Sequence, residues 1–299
     1  MDLDETDLAI VRELQTDGRL TYETLAQRVG LSRPATRMRV QRLQESGAVR
    51  VVAITHPAVR RLTASAHLAI GTQGAAGPVA HAIAELPEAP FVTLTSGRRA
   101  IMTELRTAGL AELERTIERI RALKGVRAVD PLIATRHVKD PYLPAEEPTV
   151  APQDDVDERI LAALEEDGRL PFAELAARIG LSAGATRSRT LRLLDGGVAQ
   201  VVALVRPEVL GMGHLCGFSL RVTGAAADTA RLVAALPRVT FLSTCLGGAE
   251  LVGTITAESF TSVRTTLEEM RELPQVREVD SWLHLELVKE RYALGPRTV

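Results

Sequence analysis

Apolar residues recur at helical spacing over 7–16, where Leu8, Val11 and Leu14 form one stripe before the break at Asp17-Gly18-Arg19. Thr21 stands at the N-cap of a second helix, 22–29, with Leu25, Ala26 and Val29 on its inner face. Gly30 supplies the left-handed backbone that ends it, and Ser32 caps a third helix with Pro34 in its first turn, where a missing N–H costs little. That third helix turns Thr36, Val40 and Leu43 inward and leaves Arg33, Arg37, Met38 and Gln41 facing out. Three short helices with glycine in the second turn are the pattern of a helix-turn-helix, which lays its last helix into the DNA major groove. The β-branched run over 48–54, stopped by Pro57, predicts a short strand behind it.

The rhythm then changes. Strands are predicted over 66–70, 91–95, 100–106 and 126–136, with helices over 78–86 and 110–123, the latter turning Leu113, Ile117 and Ile120 inward. The order βαββαβ implies an antiparallel sheet with both helices on one face, and the other face needs a cover. A second copy of the same sheet is the obvious one, because the whole pattern recurs 150 positions later. Gly30-Leu31-Ser32 returns as Gly180-Leu181-Ser182, Asp17-Gly18-Arg19-Leu20 as Asp167-Gly168-Arg169-Leu170, and Glu85-Leu86-Pro87 as Ala235-Leu236-Pro237. About half of the positions in the first helical segment are identical in the second, whereas the βαββαβ parts agree mainly at core positions.

The predicted architecture is α+β, two winged-type helix-turn-helix modules each followed by a ferredoxin-like βαββαβ domain. The expected boundaries are 1–57 and 58–140 for the first copy, a proline-rich linker over 141–153, then 154–207 and 208–299. Two copies are too few for a solenoid and read as a fused dimer.

Composition narrows this only slightly. Mean hydropathy is +0.05 and no apolar run is long enough to span a membrane, so a globular chain without a membrane partner is expected. The acidic start Met1-Asp2-Leu3-Asp4-Glu5 is unlike a secretory or transit signal. Cys216 and Cys245 lie in apolar strand-like runs without a CxxC partner, as expected of buried reduced thiols in the cytoplasm. His67, His214 and His284 are scattered strand residues without metal spacing.

The net charge of −2 gives nucleic-acid binding no support, but local charge does: Arg33, Arg37, Arg39, Arg42 and Arg50 face one acid, Glu45, over 33–50. The candidate DNA contacts are Ser32, Arg33, Thr36, Arg37, Met38, Arg39, Gln41 and Arg42 in the first module. Arginine forks onto guanine and glutamine onto adenine. In the second module the candidates are Ser182, Arg187, Ser188, Arg189 and Arg192. Arg39 and Arg42 recur as Arg189 and Arg192, where phosphate contact or an intradomain ion pair is expected in place of base reading. The outward face has otherwise changed, with Ala183, Gly184, Ser188 and Leu191 standing where Arg33, Pro34, Met38 and Gln41 stood. A weaker, differently specific second contact follows, and with it an asymmetric site on double-stranded DNA.

In both copies, Asp7, Leu14, Asp17-Gly18-Arg19, Leu25-Ala26, Gly30-Leu31-Ser32, Arg39, Arg42-Leu43, Gly47 and the βαββαβ segment resemble the Lrp/AsnC (feast/famine) transcription regulators in tandem form. The resemblance implies a nucleoid-associated cytoplasmic regulator that pairs through its effector sheets. It also implies further assembly into homodimers or larger homo-oligomers, and an amino acid or related metabolite bound between the sheets. The family often places Gly then Asp at the turn between the second and third strands of that domain; here the turns read Gly97-Arg98-Arg99-Ala100 and Gly247-Gly248-Ala249-Glu250, without the Asp. Candidate effector contacts are Ser96, Gly97, Arg98 and Arg99, the backbone at Gly247 and Gly248, and Glu250 for an amino group. No cofactor and no catalytic group are expected. Two alternatives remain: an effector-independent architectural DNA binder, and an enzyme like the siroheme decarboxylases, which resemble this family but carry histidine- and aromatic-rich stretches. Here Trp282 is the only tryptophan and no His/Tyr/Trp cluster shows in the sequence.

Overall fold

In the computed structural model, which describes residues 3–140, 148–205 and 210–290, the first copy opens with α1 (Glu5–Thr16), α2 (Tyr22–Val29), α3 (Arg33–Glu45) and β1 (Val49–Thr55). It continues with β2 (Ala64–Thr72), α4 (Gly77–Ala84), β3 (Phe91–Thr95), β4 (Ile101–Thr107), α5 (Leu110–Arg121) and β5 (Val126–Lys139). The second copy repeats this order: α6 (Asp155–Glu166), α7 (Phe172–Ile179), α8 (Ala183–Asp195), β6 (Ala199–Val205), β7 (His214–Val222), α9 (Ala226–Ala234), β8 (Val239–Leu246), β9 (Leu251–Ala257), α10 (Phe260–Arg271) and β10 (Val276–Glu290). Contacts divide the chain into two units, each drawn from both copies: 1–59 with 142–211, and 60–141 with 212–299.

In the helical unit, α1 begins earlier than its apolar stripe suggests. Asp4 caps it through a capping box with Asp7, and the buried face is Asp7, Ile10, Val11 and Leu14, while Leu8 stays half-buried. Gly30 ends α2 at φ 69°, and the Ser32 hydroxyl accepts the Ala35 N–H at the start of α3. The strand after each module does not fold back into a wing of its own. β1 pairs antiparallel with β6, from Val49↔Val205 to Thr55↔Ala199, so the two modules share one ribbon.

The repeated Asp-Gly-Arg turns press against that ribbon. Gly18 N donates to Val201 O and Gly168 N to Val51 O, both at 2.8 Å. A Cβ at Gly18 would lie 2.7 Å from a Val51 methyl, and one at Gly168 2.6 Å from a Val201 methyl, so only glycine fits. Arg19 then donates to Gly168 O (2.6 Å) and Leu170 O (3.3 Å) and lies over the Phe172 ring. Arg169 returns the contact to Gly18 O (2.6 Å) and Leu20 O (2.9 Å), over Tyr22. One apolar core runs through both modules, joining Ile10, Leu14, Leu25 and Leu43 to Ile160, Leu164, Leu175 and Leu193. Of the expected linker, 141–147 lies outside the described residues; beyond it Thr149 N donates to Gly196 O at 2.8 Å.

In the second unit the strands form a closed antiparallel barrel in the order β10-β3-β4-β2-β5-β8-β9-β7. Each copy supplies a ferredoxin-like quartet, and the quartets join at β5–β8 and β10–β3, so no edge remains open. This pairing extends β5 beyond its predicted end: 126–134 pairs with β2 and 133–139 with β8. The helices of each copy cover the outer face. Leu68, Ile70, Ile101 and Leu105 pack against Val79, Ile83, Leu113 and Ile120 in one copy, and Phe218, Leu220, Leu251 and Ile255 against Val233, Val263 and Met270 in the other. The alternate positions of every strand therefore line a common interior.

Two of the chain's three lysines tie the copies together. Lys289 Nζ donates to Ala84 O (2.7 Å) and Leu86 O (2.8 Å) at the end of α4, and Lys139 Nζ donates to Ala234 O (2.9 Å) at the end of α9. A compact ammonium satisfies helix C-terminal carbonyls at the negative end of the dipole. Cys216 and Cys245 are free and buried, and burial pushes their thiols up to about 11 and about 12. No described helix is long and apolar enough to cross a membrane.

Candidate functional site

The first candidate surface is the outward face of α3. Arg33, Arg37, Met38 and Gln41 are exposed, and among the described residues Arg33 and Arg37 make no ion pair. Met38 is 70% exposed, a large apolar side chain in the middle of this polar face. On α8 the exposed residues are Ser182, Arg187 and Ser188, with Ala183 and Gly184 beside them. Ser32 and Ser182 both spend their hydroxyls capping their helices, accepting from Ala35 N and Ala185 N.

One of the expected DNA contacts, Thr36, is corrected by the structure, and four of the arginines are ion-paired within their own modules. Thr36 is fully buried and donates its hydroxyl to Ser32 O at 3.0 Å, so it belongs to the module's core. Arg39 donates to Asp4 (2.6 Å) and Asp7 (2.9 Å), and Arg42 donates to Asp7 at 2.5 Å. Arg189 and Arg192 repeat the arrangement on Asp154 and Asp157. The hydrogen bond from Arg39 holds the Asp4 carboxyl below its ordinary range, and the Arg39 guanidinium is raised in turn by Asp4 and Asp7. These four arginines serve the intradomain ion pair that was their alternative. Asp7 and its counterpart Asp157 stood among the features of the resemblance, but that they lie at 1% and 0% exposure and hold these arginines went unnoticed in the sequence. Their recurrence with both arginines at the same offset was the available signal.

The second candidate surface is the pair of effector-domain turns. Strand directions place both at the same end of the barrel, separated by two strands on either side. Most of the expected effector contacts are already engaged. Ser96 N donates to Leu283 O (3.0 Å) and its hydroxyl accepts from Leu283 N (2.9 Å). Arg99 is ion-paired with Asp130, and Glu250 accepts from Val222 N at 2.9 Å. A Cβ on Gly247 would lie 2.8 Å from Pro131 O, and Gly248 O accepts from Arg221. Gly97 and Arg98 are exposed at the turn.

The barrel interior is the site that the sequence hid. Because Ala66, Leu68 and Ile70 face the helices, His67 faces in, and the same alternation turns Phe91, Glu104, Arg106, Phe241, Trp282 and His284 inward. Residues more than two hundred positions apart in sequence thus form the histidine and aromatic cluster that no local pattern revealed. His67 meets the Phe241 ring at 5.3 Å, His137 the same ring at 6.0 Å, and His284 meets Phe91 at 5.8 Å. Arg106 Nε donates to Glu104 at 2.6 Å in a pair that is 5% and 4% exposed. Burial pushes Glu104 up, but Arg106 and then His67 outweigh it and hold the carboxyl at about 2. Burial lowers His67 and His284 to about 4, so both are neutral near pH 7. The second copy breaks this pattern: Gly217, Thr254 and Thr256 stand where the first has His67, Glu104 and Arg106.

The AsnC-type helix-turn-helix domain model matches residues 3–44 and 154–194, and the Lrp/AsnC ligand binding domain model matches 64–144. An uncharacterized HTH-type transcriptional regulator of Pyrococcus abyssi is 33% identical over 136 residues, 44% of this chain and 86% of that protein. The leucine-responsive regulatory protein of Rhizobium meliloti is 32% identical over 146 residues, 47% of this chain and 94% of its own. A solved siroheme decarboxylase, NirDL in complex with an iron-uroporphyrin III analogue, shares the fold along 97% of this chain and 94% of its own, with a TM-score of 0.69 and 18% identity. The regulators each span about one copy and the decarboxylase spans both. The chain belongs to the Lrp/AsnC family, as a tandem protein carrying two AsnC-type helix-turn-helix modules in one polypeptide.

Proposed function

We propose that the chain is a sequence-specific DNA-binding regulator in which two unlike reading helices are held as one body and answer to a small metabolite taken by the effector barrel. One observation carries this. On α3 the arginines are sorted: Arg39 and Arg42 are neutralised within the module, while Arg33 and Arg37, beside Gln41, stay exposed and unneutralised. An exposed cationic face on the last helix of a helix-turn-helix suits base edges and phosphates. Because α8 keeps only Arg187 of that set, Arg37→Ala is expected to weaken operator binding by about 1–3 kcal/mol and Arg187→Ala by less. In-vitro selection of bound DNA followed by anisotropy titration of both variants tests this. Equal and negligible losses, or a strictly symmetric selected site, would overturn it.

The likeness along both copies favours a second reading, an enzyme of the siroheme decarboxylase kind. A uroporphyrin ring is a polycarboxylate, and the two guanidinium groups that reach the inner wall of the described barrel are already held by acids, Arg106 by Glu104 and Arg99, which lies over Gly71, by Asp130. The residues therefore fit such a substrate poorly, and we assign no step to it. Carbon dioxide release from siroheme by the purified chain, with no selected DNA site, would establish this reading over the first.

A further inference from the structure

Among the described residues, Met38 is the most exposed of the large apolar side chains, at 70%, and the others left exposed, from Leu110 to Leu287, all lie in the barrel unit. Its place on α3 explains this. At about 100° of helical rotation per residue, Met38 stands about 170° round from the mean direction of the buried Thr36, Val40 and Leu43, Gln41 about 130° and Arg37 about 90°. The crown of the helix is therefore Pro34 and Met38, one turn apart, with Gln41 on the next turn and all three exposed. Glu45 shares that line, but in the last turn, and a helix-turn-helix offers base edges the N-terminal part of its reading helix.

The fold does not depend on an apolar side chain at this position. Met38 takes no part in the core shared by the two modules, and its counterpart Ser188 is equally a surface residue, on a helix of the same 13 residues. What an exposed thioether at the crown can recognise is limited by the surface it meets. In the major groove guanine, adenine and cytosine show hydrogen-bond donors and acceptors, which a methionine would cut off from water without pairing. Thymine alone shows an apolar group, its 5-methyl. Methionine, unbranched and polarisable, fits itself to such a surface, and the Pro34 ring widens the apolar strip by one turn. Arg33 and Arg37, on the flank, suit phosphates and guanine instead. On α8 the crown is Gly184 and Ser188; a hydroxyl pairs with either kind of polar edge and gives a methyl no apolar contact.

We infer that Met38, with Pro34 beside it, reads the 5-methyl group of a thymine in the half-site beneath α3, and that α8 reads none. The inference rests on the regulator reading and deepens it by naming the base feature that makes the two half-sites unequal. A chain that selects no DNA would fail both readings; a chain that selects DNA without sensing the methyl would fail this one alone.

The methyl can be removed without touching the protein. Each thymine of the selected site is replaced in turn by deoxyuridine, which keeps the base pair and lacks only that group, and binding of the full-length protein is followed by anisotropy. At one position in the α3 half-site the replacement should weaken binding about fourfold, the worth of one buried methyl. Met38→Ser should bind the thymine and deoxyuridine duplexes at that position equally, and Met38→Leu should keep the difference. Arg37→Ala should weaken binding of both duplexes and leave their ratio unchanged. Because the side chain is exposed, both Met38 variants should melt like the parent protein. No thymine that senses the replacement, a ratio that survives in Met38→Ser, or a Met38→Ser protein changed only in its association state by sedimentation would overturn the inference.

Discussion

The buried carboxylates Asp7 and Asp157 give the sharpest test of the arginine assignment. Asp7 is 1% exposed and receives Arg39 and Arg42, whose side chains are 29% and 52% exposed. Asp157 is 0% exposed, and its partners Arg189 and Arg192 are more enclosed together, at 33% and 28%. Removing a buried ion's partner costs most when the remaining charge cannot reach water, about 3–5 kcal/mol when both sides are buried. Here the arginines can turn outward, so the cost falls between that figure and the small value of an exposed pair. For Asp7→Asn we expect about 1–2 kcal/mol, and for Asp157→Asn about 2–3 kcal/mol, since Arg192 is the less solvated partner. In a unit of this size the larger loss lowers the Tm by about 4–10 °C. The assay is chemical denaturation of each variant and of double-mutant cycles with Arg42→Gln and Arg192→Gln, with coupling expected in both. Coupling below about 0.5 kcal/mol in both cycles would refute the ion-pair assignment. So would an Arg42→Gln protein of unchanged stability that no longer binds DNA, because that arginine would then be a reader.

Two further outcomes follow from the barrel. His67 and His284 have pKa values lowered from 6.5 to about 4, so the unfolded chain binds more protons than the folded one between those limits. Stability is then fully present above pH 6.5 and falls by about 2 kcal/mol per histidine on going from pH 7.5 to 5. Glu104, lowered from 4.5 to about 2, adds its own loss only below pH 4.5. Melting curves across that range should slope, and His67→Phe should remove about half the slope; a flat profile above pH 5 would contradict the burial of both rings. Lys289→Met breaks two charge-assisted hydrogen bonds to the end of α4 and should cost about 2–3 kcal/mol, against about 1–2 kcal/mol for Lys139→Met with its single carbonyl. Equal losses measured by denaturation would count against the lysine clamps.

The helical unit was legible because its information is local. Cap residues, the glycine turn and the inward stripe of α3 all act within a few residues, and α2 and α3 were found where the pattern put them. The ion-pair role of Asp7 was missed because a carboxylate in a first helical turn reads equally well as a favourable dipole charge, and its partners lie 32 and 35 residues away. The β1–β6 ribbon was taken for two separate wings for a similar reason: a lone strand carries no record of which strand it will join. The interior was the least legible part, since an inward face carrying His67, Glu104, Arg106, Thr254 and His284 alternates with an apolar face just as a solvent-facing one does, and nothing local marks it as enclosed. Lys139 and Lys289, spaced like the repeat itself in a chain of 33 arginines, were a usable signal left unread.

Fusion explains why the two copies can differ where they do. In a symmetric dimer, an inward pair such as Glu104–Arg106 appears twice, and two buried ion pairs with two copies of His67 would crowd one small interior. A tandem chain is free of that constraint. Its first copy keeps the charged pair and the histidine, and its second replaces them with Thr254, Thr256 and Gly217, which clears the wall on which Trp282 lies. The same freedom acts in the helical unit, where α3 keeps Arg33, Arg37 and Gln41 while α8 keeps Arg187 alone. The shared framework does not diverge in this way: the Asp-Gly-Arg turns, the buried aspartates with their arginines and the two lysines are present in both copies. The two copies thus agree in the contacts that build each module and join the halves, and differ on the outward face of the third helix and on the inner wall of the barrel.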